Sequence, residues 1–387
     1  MSIRLADLAG LRVTVMGLGL HGGGLASCLF FARHGSQVTV TDNRKDPAAF
    51  APVLPLLERH GVRMVLGRHE IADFVNTDLV IKNPAVPADS PYLAASRDTG
   101  IPVESDLSVF LQVCHNPVVG ITGSKGKSTT ASAIHHCLRQ RYPGARLGGN
   151  ITVNPLGFLE EMGPADPVVL ELSSWQLADL RGSEQALAPQ ISLVTVILPD
   201  HQNKYPDMAS YLADKMVLFQ SQRPEQYALF NHADPYQAAW SARTRARVRW
   251  FSPRPLPAGV EGAWLRNKAA VIREAGSQVN LSLANLRVPG EHNRLNLLAA
   301  ALACHLFGLP GEEISASLAS FPGLEHRLEP VVELQGVRFY NDSAATIPEA
   351  VAAALAALPP PLLLITGGTD KNLNFRPLLP AITAAEG

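Results

Sequence analysis

Cysteine is scarce in this chain: Cys28, Cys114, Cys137 and Cys304 are its only four among 387 residues. No Cys-x-x-Cys pair occurs, which excludes a zinc ribbon or a disulfide framework and leaves reduced, mostly buried thiols as the expectation. Charge is sparse as well, at 17% of residues, and it nearly cancels to −1. No global basic field recruits nucleic acid or an anionic membrane, so an anionic ligand must be captured locally. Long apolar runs are missing too. The most apolar tract, residues 352–365, is broken by Pro359, Pro360 and Pro361 and is too short to span a bilayer. Residues 1–10 include Arg4 and Asp7 and lack the apolar core of a signal peptide, so a cytoplasmic location is expected. Repeats of solenoid length are absent.

What is present is apolar and long. A hydrophobic content of 47% over 387 residues supports two or three well-filled α/β domains and excludes a disordered chain. The chain is organised around residues 117–132, Pro-Val-Val-Gly-Ile-Thr-Gly-Ser-Lys-Gly-Lys-Ser-Thr-Thr-Ala-Ser. An apolar strand breaks into Gly123-Ser124-Lys125-Gly126-Lys127-Ser128-Thr129, and a helix over 129–141 is expected next. Glycines let backbone N–H groups turn around a phosphate, and the helix N-terminus adds its positive dipole end. In such a loop Lys127 reaches the β- and γ-phosphates and Ser128 is a ligand to Mg²⁺. The bland alternative is a surface turn rich in glycine, serine and lysine. Spacing departs from the usual Gly-x-x-x-x-Gly-Lys, because Ile121 stands where the first glycine belongs and Gly120 lies one residue early.

Upstream, a strand over 11–16 enters Gly17-Leu-Gly19-Leu-His-Gly22-Gly-Gly24, a helix over 25–33 follows, and a second strand over 37–41 closes on Asp42. This is the dinucleotide-binding pattern, with an acid about twenty residues past the glycines. Alone it suggests an NAD-dependent dehydrogenase, yet it fixes only an anion near Gly19 and a hydroxyl or base near Asp42 and Arg44. Further α/β units are expected, including a strand over 78–82 and the segment 101–105, with a domain boundary near 106–112.

Downstream, a strand over 168–172 delivers Glu171 in Glu-Leu-Ser-Ser174-Trp-Gln-Leu. A carboxylate at a parallel strand's end, beside a phosphate loop, is placed to grip a nucleotide-bound metal. A strand over 192–198 ends before Asp200-His201, and a helix carries Lys215, which alone reads as a solvated lysine. A strand over 228–232 and a β-rich elaboration with little motif content over 236–285 come next. Asn293 and Asn296 lie about one turn apart, where two carboxamides could read an adenine edge; Asn293 could instead cap the helix. A last unit is expected from Gly323, with strands over 337–340 and 362–366 around a helix over 349–358.

In this order the motifs resemble the Mur ligase family. The loop Gly-Ser-Lys-Gly-Lys-Ser-Thr is accompanied by Gly148-Gly-Asn150-Ile, Glu-Leu-Ser-Ser-Trp-Gln-Leu, Asp-His201, the helix lysine, His292-Asn-x-x-Asn, His-Arg327-Leu-Glu, Asn-Asp342-Ser and Gly-Gly-Thr-Asp-Lys371. The Glu-Leu-Ser-Ser-aromatic-Gln-Leu segment points to the glutamate-adding branch. The resemblance implies a UDP-sugar-binding Rossmann-like domain (1–109), a phosphate-loop ATPase domain (110–323) and a Rossmann-like amino-acid-binding domain (324–387), incomplete because relatives continue well past Lys371. It overturns the dehydrogenase reading, and it implies a cytoplasmic monomer that joins D-glutamate to UDP-N-acetylmuramoyl-L-alanine at the expense of ATP.

Residue roles follow from the same resemblance. Gly123, Ser124, Lys125, Gly126, Lys127, Ser128, Thr129, Asn293, Asn296, Arg327 and Asp342 would contact ATP. Gly19, Leu20, Asp42 and Arg44 would hold the UDP end, with Asn150 and Ser174 near the muramoyl-alanyl end. Thr346 and Lys371 would meet glutamate. Ser128, Glu171, His201 and Lys215 would serve two Mg²⁺ ions, Lys215 as a carbamate formed with CO₂, which requires a depressed lysine pKa. Lys127, Glu171, His201 and Lys215 are thus the expected catalytic set. Ala344 stands where many relatives have lysine. An L-glutamate-adding variant and a non-catalytic UDP-sugar and ATP binder are the competing expectations.

Overall fold

The computed structural model describes residues 3–19, 22–151, 153–181, 187–199, 205–368, 373–376 and 378–385. Its first sheet is parallel and five-stranded, in the order β3-β2-β1-β4-β5. The strands are β1 (Arg12–Met16), β2 (Gln37–Asp42), β3 (Arg63–Leu66), β4 (Leu79–Lys82) and β5 (Val103–Ser105). β1 is buried from Val13 onward and β4 throughout, as expected of strands covered by helices on both faces. The helix after β1 starts at Gly23, two residues earlier than the apolar pattern suggests. Gly24 is what permits it: a Cβ there would stand 2.3 Å from the Gly17 carbonyl oxygen.

The second sheet has nine strands, ordered β14-β13-β12-β11-β10-β9-β6-β8-β7. They are β6 (Val118–Thr122), β7 (Arg146–Gly149), β8 (Val168–Glu171), β9 (Ile191–Val194), β10 (Tyr227–Asn231), β11 (Arg247–Ser252), β12 (Gly262–Arg266), β13 (Ala269–Glu274) and β14 (Ser277–Ser282). β6 through β12 run parallel to one another, β13 pairs antiparallel with β12, and β14 pairs antiparallel with β13. The region read as an elaboration is therefore an extension of the sheet that carries the Gly123–Thr129 loop. Helices Lys127–Arg141, Glu291–Leu306 and Gly311–Ser320 cover one face, joined through Ile134, Leu138, Leu297, Leu302 and Leu318. No described helix is long and apolar enough to cross a membrane.

The third unit differs most from expectation. β15 (Glu329–Leu334) and β16 (Val337–Asn341) form an isolated antiparallel hairpin, followed by the helix Pro348–Ala357. The strand expected over 362–366 is not formed, and Leu363 and Ile365 stand 91% and 89% exposed. An extended segment becomes a strand only by pairing its backbone, and no described strand lies beside this one.

Candidate functional site

The phosphate loop leaves β6 at Thr122 and feeds the helix Lys127–Arg141. Two glycines are required by backbone and by space. Gly123 has φ +142° with the Thr195 hydroxyl where a Cβ would go, and Gly126 has φ +88° with Asn296 Oδ1 2.4 Å from an added Cβ. The second contact places Asn296 directly against the loop. Asn293 does not cap its helix, which begins at Glu291; its amide donates instead to the Pro289 carbonyl at 2.7 Å.

Segment 195–198 clamps the loop from the other side. Ser124 N–H donates to the Val196 carbonyl, Leu198 N–H donates to Ser124 Oγ at 2.9 Å, and the Thr195 hydroxyl donates to the Lys125 carbonyl at 2.6 Å. Lys127 Nζ folds back onto the carbonyls of Gly123 (2.9 Å) and Ser124 (3.1 Å). Lys125 is exposed, Ser128 is half-buried at the first turn of the helix, and Thr129 is buried.

Lys215 is not the solvated lysine its helix position suggests. It is 2% exposed, its Nζ donates to the Gly123 carbonyl at 2.9 Å, and it lies 4.5 Å from the centroid of Tyr211. Two lysine Nζ groups from distant parts of the chain thus converge on one loop carbonyl. Glu171, at the end of β8, is also 2% exposed. Its Oε1 accepts from Asn150 Nδ2 at 2.8 Å, while Oε2 is buried without a hydrogen-bond partner. A buried carboxylate oxygen left this way is unfavourable unless a cation or water meets it, so the donor set here fits a hard divalent ion. Among the described residues no three histidine, cysteine or carboxylate groups gather as a metal cluster. His201 and Lys371 lie outside the described residues, as does Leu20.

At the first sheet the glycine loop takes a form the motif did not specify. Asp42 is buried, and its carboxylate accepts from the loop, Leu18 N–H at 3.1 Å and Gly19 N–H at 3.2 Å, and from Arg44 N–H two residues further on at 2.9 Å. Arg44 spreads over the Phe50 ring. Asn83, just past β4, packs against Gly17 and Gly19, a contact nothing in the sequence announces.

The helix after this loop meets the central unit. Asn154 of the central unit donates to the Gly23 carbonyl at 2.7 Å and to Ser27 Oγ at 3.0 Å. Ser174 is buried at the start of the helix Ser174–Asp179, whose capping box pairs Ser173 with Gln176. From the third unit, Asp342 accepts Leu328 N–H at 2.9 Å. Burial pushes the Asp342 carboxyl above the usual carboxylate range, opposed by nearby Arg327 and His292. Burial likewise pushes His292 down against the pull of Asp342. Arg327 and His292 thus both lie within electrostatic reach of Asp342. Thr346 is exposed in the loop after β16.

A phosphate loop and a second glycine loop, each following a parallel strand of its own sheet, with a buried lysine and carboxylate beside the first, define a nucleotide-binding α/β protein. Family comparison makes this specific. Residues 121–304 match the Mur ligase middle domain, and residues 11–105 match the MurD-like N-terminal domain of Mur ligases. Curated UDP-N-acetylmuramoylalanine--D-glutamate ligases from Treponema pallidum and Roseiflexus sp. are each 38% identical, across 98% and 95% of this chain and 84% and 80% of theirs. That from Anaeromyxobacter dehalogenans is 39% identical across 97% of this chain and 81% of its own length. The chain belongs to the Mur ligase family. Solved structures agree in fold. The UDP-N-acetylmuramate:L-alanyl-gamma-D-glutamyl-meso-diaminopimelate ligase from Neisseria meningitides superposes with a TM-score of 0.58 at 18% identity, over 82% of this chain and all of that one. UDP-N-acetylmuramate-alanine ligase from Thermotoga maritima gives 0.55 at 18% identity, over 90% of this chain and 77% of that one.

Proposed function

We propose that this protein is an ATP-dependent, ADP-forming ligase that adds D-glutamate to UDP-N-acetylmuramoyl-L-alanine in peptidoglycan precursor synthesis. The observation that carries the chemistry is the convergence of Lys127 and Lys215 on the Gly123 carbonyl, with Glu171 Oε2 buried and unpartnered nearby in the same central unit. The 34–39% identity to curated ligases of that name supports the substrate.

In this reading the alanyl carboxylate attacks the γ-phosphorus of ATP. The bond to the β-phosphate oxygen breaks, and ADP and an acyl phosphate form. The glutamate amine, having lost its proton, then adds to the acyl carbon. The tetrahedral species gives up a proton from the nitrogen to solvent and collapses with loss of phosphate, and an amide remains. Negative charge gathers on transferring and departing oxygens in both steps, so the protein acts by positioning and by cationic stabilisation.

Lys127 swings from the loop carbonyls to the β- and γ-phosphates, and backbone N–H groups of 123–129 cradle them. Asn293, Asn296, Arg327 and Asp342 hold the rest of the nucleotide. Gly19, Leu20, Asp42 and Arg44 form the UDP end; since the Asp42 carboxylate already accepts three backbone N–H groups, its part is to hold the loop in shape. Asn150 and Ser174 face the muramoyl-alanyl end, and Thr346 and Lys371 meet glutamate. Ser128 and Glu171 would hold one Mg²⁺, and His201 with Lys215 as its CO₂-derived carbamate a second. When bound, these ions neutralise phosphate charge. Domains 1–109, 110–323 and 324–387 carry UDP-sugar, ATP and amino acid in turn, in a cytoplasmic monomer.

Phosphate release from ATP in the presence of UDP-N-acetylmuramoyl-L-alanine, compared without amino acid and with D- or L-glutamate, tests the assignment. Release dependent on D-glutamate supports it. Dependence on L-glutamate replaces the acceptor, and indifference to both, with UDP-sugar bound, makes this chain a non-catalytic nucleotide binder.

A further inference from the structure

A second group of charges lies away from the phosphate loop, where the first sheet meets the helix Ser174–Asp179. Lys82, the last residue of β4, is 6% exposed, and its Nζ is 2.7 Å from Asp179 Oδ2. Asp106 opens the next helix at the end of β5, and β5 pairs with β4 so that Lys82 and Ser105 are in register. Asp106 feels both Lys82 and Asp179, and Asp179 in turn feels Asp214 and Arg97. Asp214 is itself buried and ion-paired with Arg181, one residue before Lys215. None of these side chains has a part in the chemistry described above.

Their placement is what makes them informative. Lys82 lies in register with Met16, immediately before the glycine loop. Asp179 closes a six-residue helix whose first residue, Ser174, is three residues after Glu171. A rigid helix this short transmits the position of one end to the other. We propose that Lys82 and Asp179 are positioning residues: their part-buried ion pair latches the UDP-binding sheet to the central unit at the separation that lets one ligand reach from the glycine loop to Ser174 and the γ-phosphate. The proposal rests on the UDP-sugar reading of the glycine loop.

The test compares a ligand that touches only the first unit with one that spans both. Calorimetric titration of UDP and of UDP-N-acetylmuramoyl-L-alanine is made on the wild type, Lys82→Met, Asp179→Asn, and the reversed pair Lys82→Asp with Asp179→Lys. Each single variant is expected to leave UDP affinity within about twofold and to weaken the spanning ligand about tenfold, with recovery in the reversed pair. Variants that bind both ligands as the wild type does, or that lose both in parallel, overturn the latch.

If the wild type binds UDP-N-acetylmuramoyl-L-alanine no better than UDP, the functional reading fails, and hydrogen exchange without ligand decides the latch. Faster exchange of amides 107–113 and 175–179 in the single variants, restored in the reversed pair, supports it. Unchanged rates overturn it.

Discussion

At the scale of single residues, the site depends on atoms that have no room to move. Gly126→Ala forces a side chain into a left-handed backbone at φ +88° and against Asn296. A loss of about 1–3 kcal/mol in stability is expected, with ATP affinity falling at least tenfold, as read by chemical unfolding and nucleotide titration. Asp106 gives a pH signature. Burial raises its carboxyl to about 6, against about 4 for an unfolded aspartate. The folded state therefore holds the proton more tightly. Asp106 adds stability below pH 4, and that contribution is lost as pH rises through about 6. Urea unfolding between pH 4.5 and 7.5 is expected to show a decline on the order of 2 kcal/mol that Asp106→Asn flattens.

At the scale of elements, strands followed by glycine turns were legible because both signals are local. β1, β2, β4, β6 and β8 fall within one or two residues of the apolar runs. Glu171 was legible for the same reason, since a strand's last residue at a sheet's carboxyl edge needs no partner to be noticed. Asn154 was not, because its neighbours Gly23 and Ser27 are more than 120 residues away. Its amide is buried and ties the central unit to the helix Gly23–Arg33, so Asn154→Ala leaves the Gly23 carbonyl short of a donor. A destabilisation of about 1–3 kcal/mol is expected in thermal or urea unfolding. The strand expected over 362–366 failed because apolar character supplies only a candidate, and pairing supplies the strand.

At the scale of the whole molecule, apolar surface is unevenly distributed. Val331, Val332, Leu334, Val337 and Phe339 of the hairpin are 44–60% exposed, and Leu363 and Ile365 lie bare beyond it. A two-stranded hairpin with an open apolar face invites edge pairing. The 387-residue chain is expected to bind an apolar dye and to associate at tens of micromolar in light scattering. Replacing Leu334 and Phe339 by threonine is expected to reduce both signals.

The chain by itself determined the nucleotide loops, because a turn around phosphate needs glycine at particular backbone angles and a lysine at a fixed offset. It also determined the order of α/β units, since apolar runs and breakers alternate along it. Tertiary structure alone decided which side chains meet. Lys215 reaches the Gly123 carbonyl across 92 residues of sequence, and Lys82 reaches Asp179 across 97. Asp42 turned inward to its own loop, where the motif had suggested a ligand. Such contacts depend on how separate sheets and helices pack, and packing is a property of the folded whole that no local pattern encodes.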